Sequence, residues 1–402
     1  MKIKFSLVAT IMALLTPFAF SATNVQDLDW AKKGIEIAAY QLEQTAGKIK
    51  SLTDTIAFPR SAQAGQLKLV NAEDWTSGFF PGSLWYAYEL TGNKKLAKEA
   101  RVYTNKLANI QYFKANHDVG FMMYCSYGNA LRLVPEKGDK EILINTAKSL
   151  STRFSPKVGL IKSWDHEPKW KYPVIIDNMM NLELLFEASK MSKDKSFEKI
   201  AVSHADLTMK NHFRPDMSSY HVLGYDPANG SILTKGTHQG FSDESAWSRG
   251  QGWGLYSYTY CFRETNNPKY LERAKAIAAY IMNHPNTPTD LIPYWDYNAP
   301  KIPNEPRDAS AGALIASGLL ELSTLTKDKK YFEYAEKMLK ALSGPNYLAK
   351  KGENNGFVLM HSVGSIPGKF EVDTPLNYAD YYYLEAMVRY LKIKDVNVAS
   401  LK

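Results

Sequence analysis

Thr91-Gly92-Asn93-Lys94-Lys95 is followed, nine residues after its first member, by Ala100. The pattern returns as Ser192-Lys193-Asp194-Lys195 with Ala201, as Thr265-Asn266-Asn267-Pro268-Lys269 with Ala274, and as Thr326-Lys327-Asp328-Lys329-Lys330 with Ala335. Gly138-Asp139-Lys140 with Ala147 is a looser copy. Each copy is a polar turn whose Asn, Asp or Pro suits the cap and first turn of a helix. In the second copy Phe197, Ile200, Ala201 and His204 form one helical stripe. A more apolar segment precedes each copy, at 84–90, 122–133, 179–191, 253–262 and 311–325. Apolar helices inside and striped helices outside describe two concentric rings, and helices expected over 30–45 and 378–391 supply the sixth hairpin. The pattern predicts an all-α (α/α)6 toroid, a single catalytic domain over 22–402. Its inner helices should start near Ser83, Met122, Asn178, Trp247, Ala309 and Tyr378. An open α-solenoid shows the same kind of repeat. Against it, the Gly- and Trp-rich segments fall at the starts of the inner helices, as if facing one mouth.

The amino terminus, Met1-Lys2-Ile3-Lys4, is basic and leads into an apolar run from Phe5 to Phe20. Ala19 and Ser21 place small residues at minus three and minus one of a cleavage point before Ala22. This is the pattern of a secretory signal peptide over 1–21, too short for a spanning helix, and it predicts an exported, periplasmic protein. No second apolar stretch is expected to span a membrane. The formal charge is +8, but the Lys are scattered and form no basic run, which argues against nucleic acid as a partner. A basic exported chain rich in Tyr suits an acidic sugar substrate. The expected state is a monomer or weak homo-oligomer. Cys125 and Cys261 lie in apolar helical stretches without metal-ligand spacing, so they read as buried thiols.

The segment from Gln239 to Gly254 combines two Trp, one Arg, two acids, two Gln and four Gly. Trp offers a plate to the carbon face of a ring, and Arg a fork for carboxylate or sulfate. The segment reads as the wall of a site for an anionic sugar; the plainer reading is a glycine-loosened helix start with core Trp. Asp118, in His117-Asp118-Val119-Gly120-Phe121, precedes one inner helix, and Asp177, embedded in Val174-Ile175-Ile176-Asp177-Asn178, starts another. A carboxylate among apolar residues must be paired or protonated, and a raised pKa is what a general acid needs at neutral pH. For Asp177 alone, an N-cap aspartate fits equally well. Nucleophile elbow, Walker loop, dinucleotide fingerprint and HExxH helix are all missing from the sequence, and neither a catalytic metal nor a cofactor is expected. Trp75, Trp164 and His221 are further candidates; each alone is more often packing than function.

These motifs together resemble the unsaturated glucuronyl hydrolases. The resemblance runs from about residue 27 to 391. It rests on Asp74-Trp75-Thr76-Ser77-Gly78-Phe79, on His117-Asp118-Val119-Gly120-Phe121, and on Ile176-Asp177-Asn178. Ser248-Arg249-Gly250-Gln251-Gly252-Trp253-Gly254 and Asn377-Tyr378-Ala379-Asp380-Tyr381-Tyr382 complete it. It implies Asp177 as catalytic acid and base with Asp118 as its partner. His117 and Trp75 would line the unsaturated uronate, His221, Gln239, Arg249 and Trp253 would hold its polar groups, and Trp164 would stack on the next sugar. Ser362, Ser365 and Lys369 would hold a sulfate, as in members that prefer sulfated glycosaminoglycan fragments, although Lys369 falls later than that pattern expects. His238 departs from the residue the family places before Gln239.

The reaction the resemblance implies is hydration of the C4=C5 vinyl ether left by polysaccharide lyases acting on heparin, heparan, chondroitin or hyaluronan. It differs from attack at the anomeric carbon. Three alternatives share the sequence features. They are an unsaturated rhamnogalacturonyl hydrolase, an inverting glycosidase using the same two acids, and a non-catalytic sugar-binding toroid of an uptake system.

Overall fold

The computed structural model describes residues 28–52 and 58–396; the signal segment expected over 1–21 lies outside them. The helices are α1 (Asp29–Leu52), α2 (Phe79–Thr91), α3 (Lys94–Asn105), α4 (Val119–Met123), α5 (Asn129–Leu133) and α6 (Asp139–Ser151). They continue with α7 (Leu182–Ser192), α8 (Lys195–Asn211), α9 (Ser248–Thr265), α10 (Pro268–Asn283), α11 (Ala309–Thr326), α12 (Lys329–Leu342) and α13 (Asn377–Ile393). A π turn, Tyr124–Gly128, joins α4 to α5 into one inner helix.

The repeat is a capping device. Asn93, Asp194, Asn267 and Asp328 each accept a hydrogen bond from the backbone N–H two residues on, at 3.0, 2.8, 3.3 and 3.1 Å. The hydroxyl two residues earlier, of Thr91, Ser192, Thr265 or Thr326, accepts from the cap's own N–H at 3.1–3.2 Å. It also donates to the carbonyl four residues before it. Between them one residue turns left-handed: Gly92, Lys193, Asn266 and Lys327, with φ from 53 to 67°. One motif therefore ends an inner helix and starts an outer one, satisfying orphan groups on both sides. Ala100, Ala201, Ala274 and Ala335 are fully buried where the outer helix meets its partner.

The inner ring runs α2, α4–α5, α7, α9, α11, α13, and α13 packs back on α2. That contact closes the toroid and removes the open solenoid. The α2 helix starts at Phe79 rather than Ser83, because Pro81 fits a first turn that needs no N–H from it. Before α7 stands a 3-10 helix, Ile176–Asn181. Helix α11 is, contrary to expectation, long and apolar enough to cross a membrane by length and composition; it is an inner-ring helix whose window is 78% buried.

Short strands, which the helical pattern did not foretell, decorate the rim. β1 (Phe58–Gln63) pairs antiparallel with β2 (Gln66–Val70), and β3 (Phe154–Ser155) with β4 (Leu160–Ile161). β5 (Pro173–Ile175), β6 (Val222–Tyr225) and β7 (Ile232–Gly236) form an antiparallel sheet in that order. Cys125 and Cys261 are buried free thiols.

Candidate active site

The segments at the amino ends of the inner helices carry the candidate residues, so the toroid gathers them at one end. Asp118 precedes α4 and caps nothing; its Oδ1 lies 3.3 Å from His117 Nε2. Asp177 sits in the first turn of the 3-10 helix. The N-cap reading of it fails, because its buried Oδ2 has no hydrogen-bond partner. Its neighbour Asn178 anchors that turn by donating to Ile161 O at 2.7 Å. The two turns meet because Gly120 has no side chain: a Cβ there would come within 2.4 Å of Asn181 Oδ1. That same Oδ1 accepts from Phe121 N at 3.0 Å, tying α4 to the Asp177 turn.

Burial, then the charges of Asp177 and Asp74, push the Asp118 carboxyl well above the usual carboxylate range, against a downward pull from Arg153. Asp177 is thus one of the charges that help Asp118 to hold a proton. His117 is driven down to about 4 by burial, only partly opposed by Asp177, and is neutral at pH 7.

His221 has a fixed tautomer. Its Nδ1 accepts from His238 N and Gln239 N, both at 3.1 Å, so its proton is on Nε2, which points at Asp177 Oδ2 from 3.5 Å. Its ring lies 4.5 Å from that of Trp247, which no residue-type argument had singled out beyond its presence in the segment. Trp75 is half-buried against Phe79, Phe121 and Tyr378. Trp164 packs with His166, Trp170 and His238, and its buried Nε1 has no partner.

Two expectations are corrected. Trp253 is fully buried against Phe121 and Tyr382, so it offers no plate to a sugar face, while its buried Nε1 has no partner. Arg249 does not present a free fork. Its Nη1 meets Asp308 at 2.8 Å and Val363 O at 2.5 Å, and its Nη2 meets Gly364 O at 3.0 Å. The guanidinium is sandwiched near Trp247 and Tyr378 and is 1% exposed. Gln239 likewise donates to Gly364 O, at 2.9 Å. Both residues therefore hold the 362–365 loop. In that loop Ser362 and Ser365 are buried, Ser362 Oγ has no partner, and Ser365 Oγ accepts from Gly368 N. Lys369 is exposed and left-handed, with φ 56°, outside the buried part of the loop.

Residues missed in the sequence include Asp308, Arg60, Asp74 and Glu371. Asp308 had a legible signal, an Asp directly before the apolar α11, whose Ser310 N–H it caps. A cavity of about 580 Å3 lies elsewhere, lined by Tyr124, Glu183, Arg263, Tyr381 and Glu385. Arg263 there already bonds Glu183, Glu264 and Glu321, and neither Asp118 nor Asp177 lines it. Its charges buttress the ring.

A family model, Glycosyl Hydrolase Family 88, matches residues 48–393. The chain is 47% identical over 336 residues to an "Unsaturated glucuronyl hydrolase" of Formosa agariphila, covering 83% of this chain and 84% of the relative. It is 32% identical over 356 residues to a protein of the same name from Bacillus sp. strain GL1, covering 86% and 93%. A crystal structure of an unsaturated glucuronyl hydrolase specific for heparin superposes with a TM-score of 0.89 at 52% identity, over 92% of this chain and 99% of that one.

Proposed function

The chain belongs to glycosyl hydrolase family 88, and from that premise we propose that it hydrolyses unsaturated glucuronyl oligosaccharides of the kind lyases release from glycosaminoglycans. The observation that carries this reading is the carboxyl pair at the mouth of the toroid. The charge of Asp177 reaches Asp118, and with burial it holds the Asp118 carboxyl above the usual carboxylate range. Such a pair is an acid at neutral pH without a metal or a nucleophile.

In the proposed reaction Asp177 gives a proton to C4 of the vinyl ether. Positive charge develops at C5, shared with the ring oxygen, and the negative pair stabilises it. Water adds at C5 on the same face and returns a proton to Asp177, restoring the catalyst. The resulting hemiketal opens and the neighbouring sugar leaves. His221, with its proton on Nε2, keeps Asp177 oriented, and neutral His117 does the same for Asp118. Trp75 and Trp164 supply ring faces for the uronate and the next sugar. Ser362 and Ser365 give hydroxyls toward a sulfate, and Arg249 and Gln239 fix the loop that carries them. The heparin specificity of the 52%-identical relative favours amino-sugar disaccharides over rhamnogalacturonan.

One contiguous core joining all six hairpins supports a single catalytic domain, and the amino-terminal pattern supports export as part of the same proposal. Incubating the protein with unsaturated heparin, chondroitin and hyaluronan disaccharides and following the absorbance of the double bond tests it. Loss of absorbance is expected; its persistence with all three substrates would overturn the reading.

A further inference from the structure

Arg60 stands at a register shift in β1, between Pro59 and Ser61, on the hairpin whose Ser61 bridges Leu376 just before α13. Its Nε and Nη2 grip both oxygens of Glu371 at 2.6 and 3.0 Å, and its Nη1 meets Asp74 Oδ2 at 2.8 Å. All three side chains are largely withdrawn from solvent, at 13, 4 and 18% exposure. Asp74 uses its other oxygen to hold Thr76 N and Oγ1, which sets the turn carrying Trp75. Glu371 sits in the return limb of the 361–374 loop, where Gly364 N donates to its carbonyl. That loop holds four non-glycine residues at left-handed φ: His361, Lys369, Glu371 and Asp373. Such backbone persists only where its surroundings fix it. Arg249 and Gln239 fix the loop from one side, and Arg60, aided by Lys68 at 3.1 Å from Glu371, fixes it from the other.

We infer that Arg60 is a positioning residue for the reaction, joining the Trp75 wall to the Ser362–Ser365 loop and neutralising the two carboxylates, Asp74 and Glu371, that stand close to an anionic substrate. The inference rests on the function proposed above. It has an electrostatic consequence, because Asp74 is one of the charges that face Asp118. The others are Asp177, His117 and Arg153. Removing the Arg60 charge leaves Asp74 uncompensated and strengthens proton binding at Asp118, so activity should persist to higher pH.

The test compares Arg60→Met, Arg60→Lys and Glu371→Gln on sulfated and unsulfated unsaturated disaccharides across pH. For Arg60→Met, KM for sulfated substrate should rise about tenfold relative to unsulfated, as expected for loss of a charge-assisted bidentate anchor. Its alkaline limb should also move up. Glu371→Gln keeps the Arg60–Asp74 pair and should lose selectivity without moving the limb. Arg60→Lys keeps charge but not the fork, and should behave like Glu371→Gln, which preserves the test if Arg60→Met does not fold. A uniform fall in kcat on every substrate, with unmoved limb and selectivity, would make the role structural and overturn the inference. Turnover by the unmodified protein is measured first. Its absence would remove the function itself, whereas turnover with silent variants would remove only Arg60.

Discussion

Removing the guanidinium of Arg249 should destabilise the fold by about 3–5 kcal/mol, the usual cost of stranding one partner of a buried ion pair. Arg249 is 1% exposed and Asp308 0%, with nitrogen and oxygen 2.8 Å apart. At an effective dielectric near 20, the attraction at that distance is about 6 kcal/mol before desolvation. In Arg249→Met, Asp308 would keep three donors: Ser310 N at 3.0 Å, Ser310 Oγ at 2.5 Å and Val363 N at 3.3 Å. These favour the lower end, about 3 kcal/mol. Asp308→Asn strands the guanidinium instead and should cost a similar amount. The double variant leaves no unpaired charge, so its loss should fall short of the summed single losses by at least about 2 kcal/mol. Urea unfolding of the four proteins at pH 7 reads the cycle, and Arg249→Met should melt roughly 6 °C lower, taking about 2 °C per kcal/mol. The double variant still lacks the bonds to Val363 O and Gly364 O, so its stability should recover further than its turnover of sulfated substrates. Additive losses, or an Arg249→Met protein within 1 kcal/mol of the parent, would refute the reasoning.

Asp177→Asn should lose turnover of every substrate while keeping most of its affinity, and Asp118→Asn should lose roughly 10²–10⁴-fold in kcat, the span of a single acid–base contribution; steady-state kinetics with a tenth or more of activity retained would reassign the acid. Ser362→Ala with Ser365→Ala should weaken sulfated disaccharides more than unsulfated ones, and an equal effect in kcat/KM would take the loop out of the site. A 2-O-sulfate on the unsaturated uronate should be rejected, because Trp75, His117 and Asp118 crowd that end; comparable kcat/KM with and without the ester would show a wider pocket. His212, held down to about 4 by burial, is a base with a depressed pKa. Its contribution of roughly 3 kcal/mol is present above pH 6.5 and lost as pH falls toward 4. His212→Gln should flatten the stability profile over that window, and an unchanged acid slope would contradict this. Asp380, raised by burial to about 7, works the other way: the fold loses its contribution as pH rises from about 4 to 7, so Asp380→Asn should steepen the acid slope.

The repeat was readable because it is local. Thr91, Gly92 and Asn93 each do a job that residue type reveals: a hydroxyl acceptor, a left-handed turn and a cap. Asp118 and Asp177 were readable because a charge beside apolar helix starts needs a reason. What stayed hidden was partnership across the chain. Asp308 meets Arg249 across 59 residues and Glu371 meets Arg60 across 311, and no spacing rule reports such pairs. Trp253 misled for the same cause. Its position in the rich Arg249 segment suggested a sugar plate, but the helical turn after Gly252 points it into the core with Phe121 and Tyr382. The strands of the rim, two to six residues long, carry too little alternation to stand out among helices.

The proposed reaction hydrates a double bond at the carboxyl pair instead of displacing the anomeric substituent. Turnover of an unsaturated disaccharide in heavy water and in oxygen-labelled water, followed by product mass spectrometry and NMR, tests it. Deuterium at C4 and labelled oxygen at C5 are expected. Label at C1 with the double bond retained would contradict it.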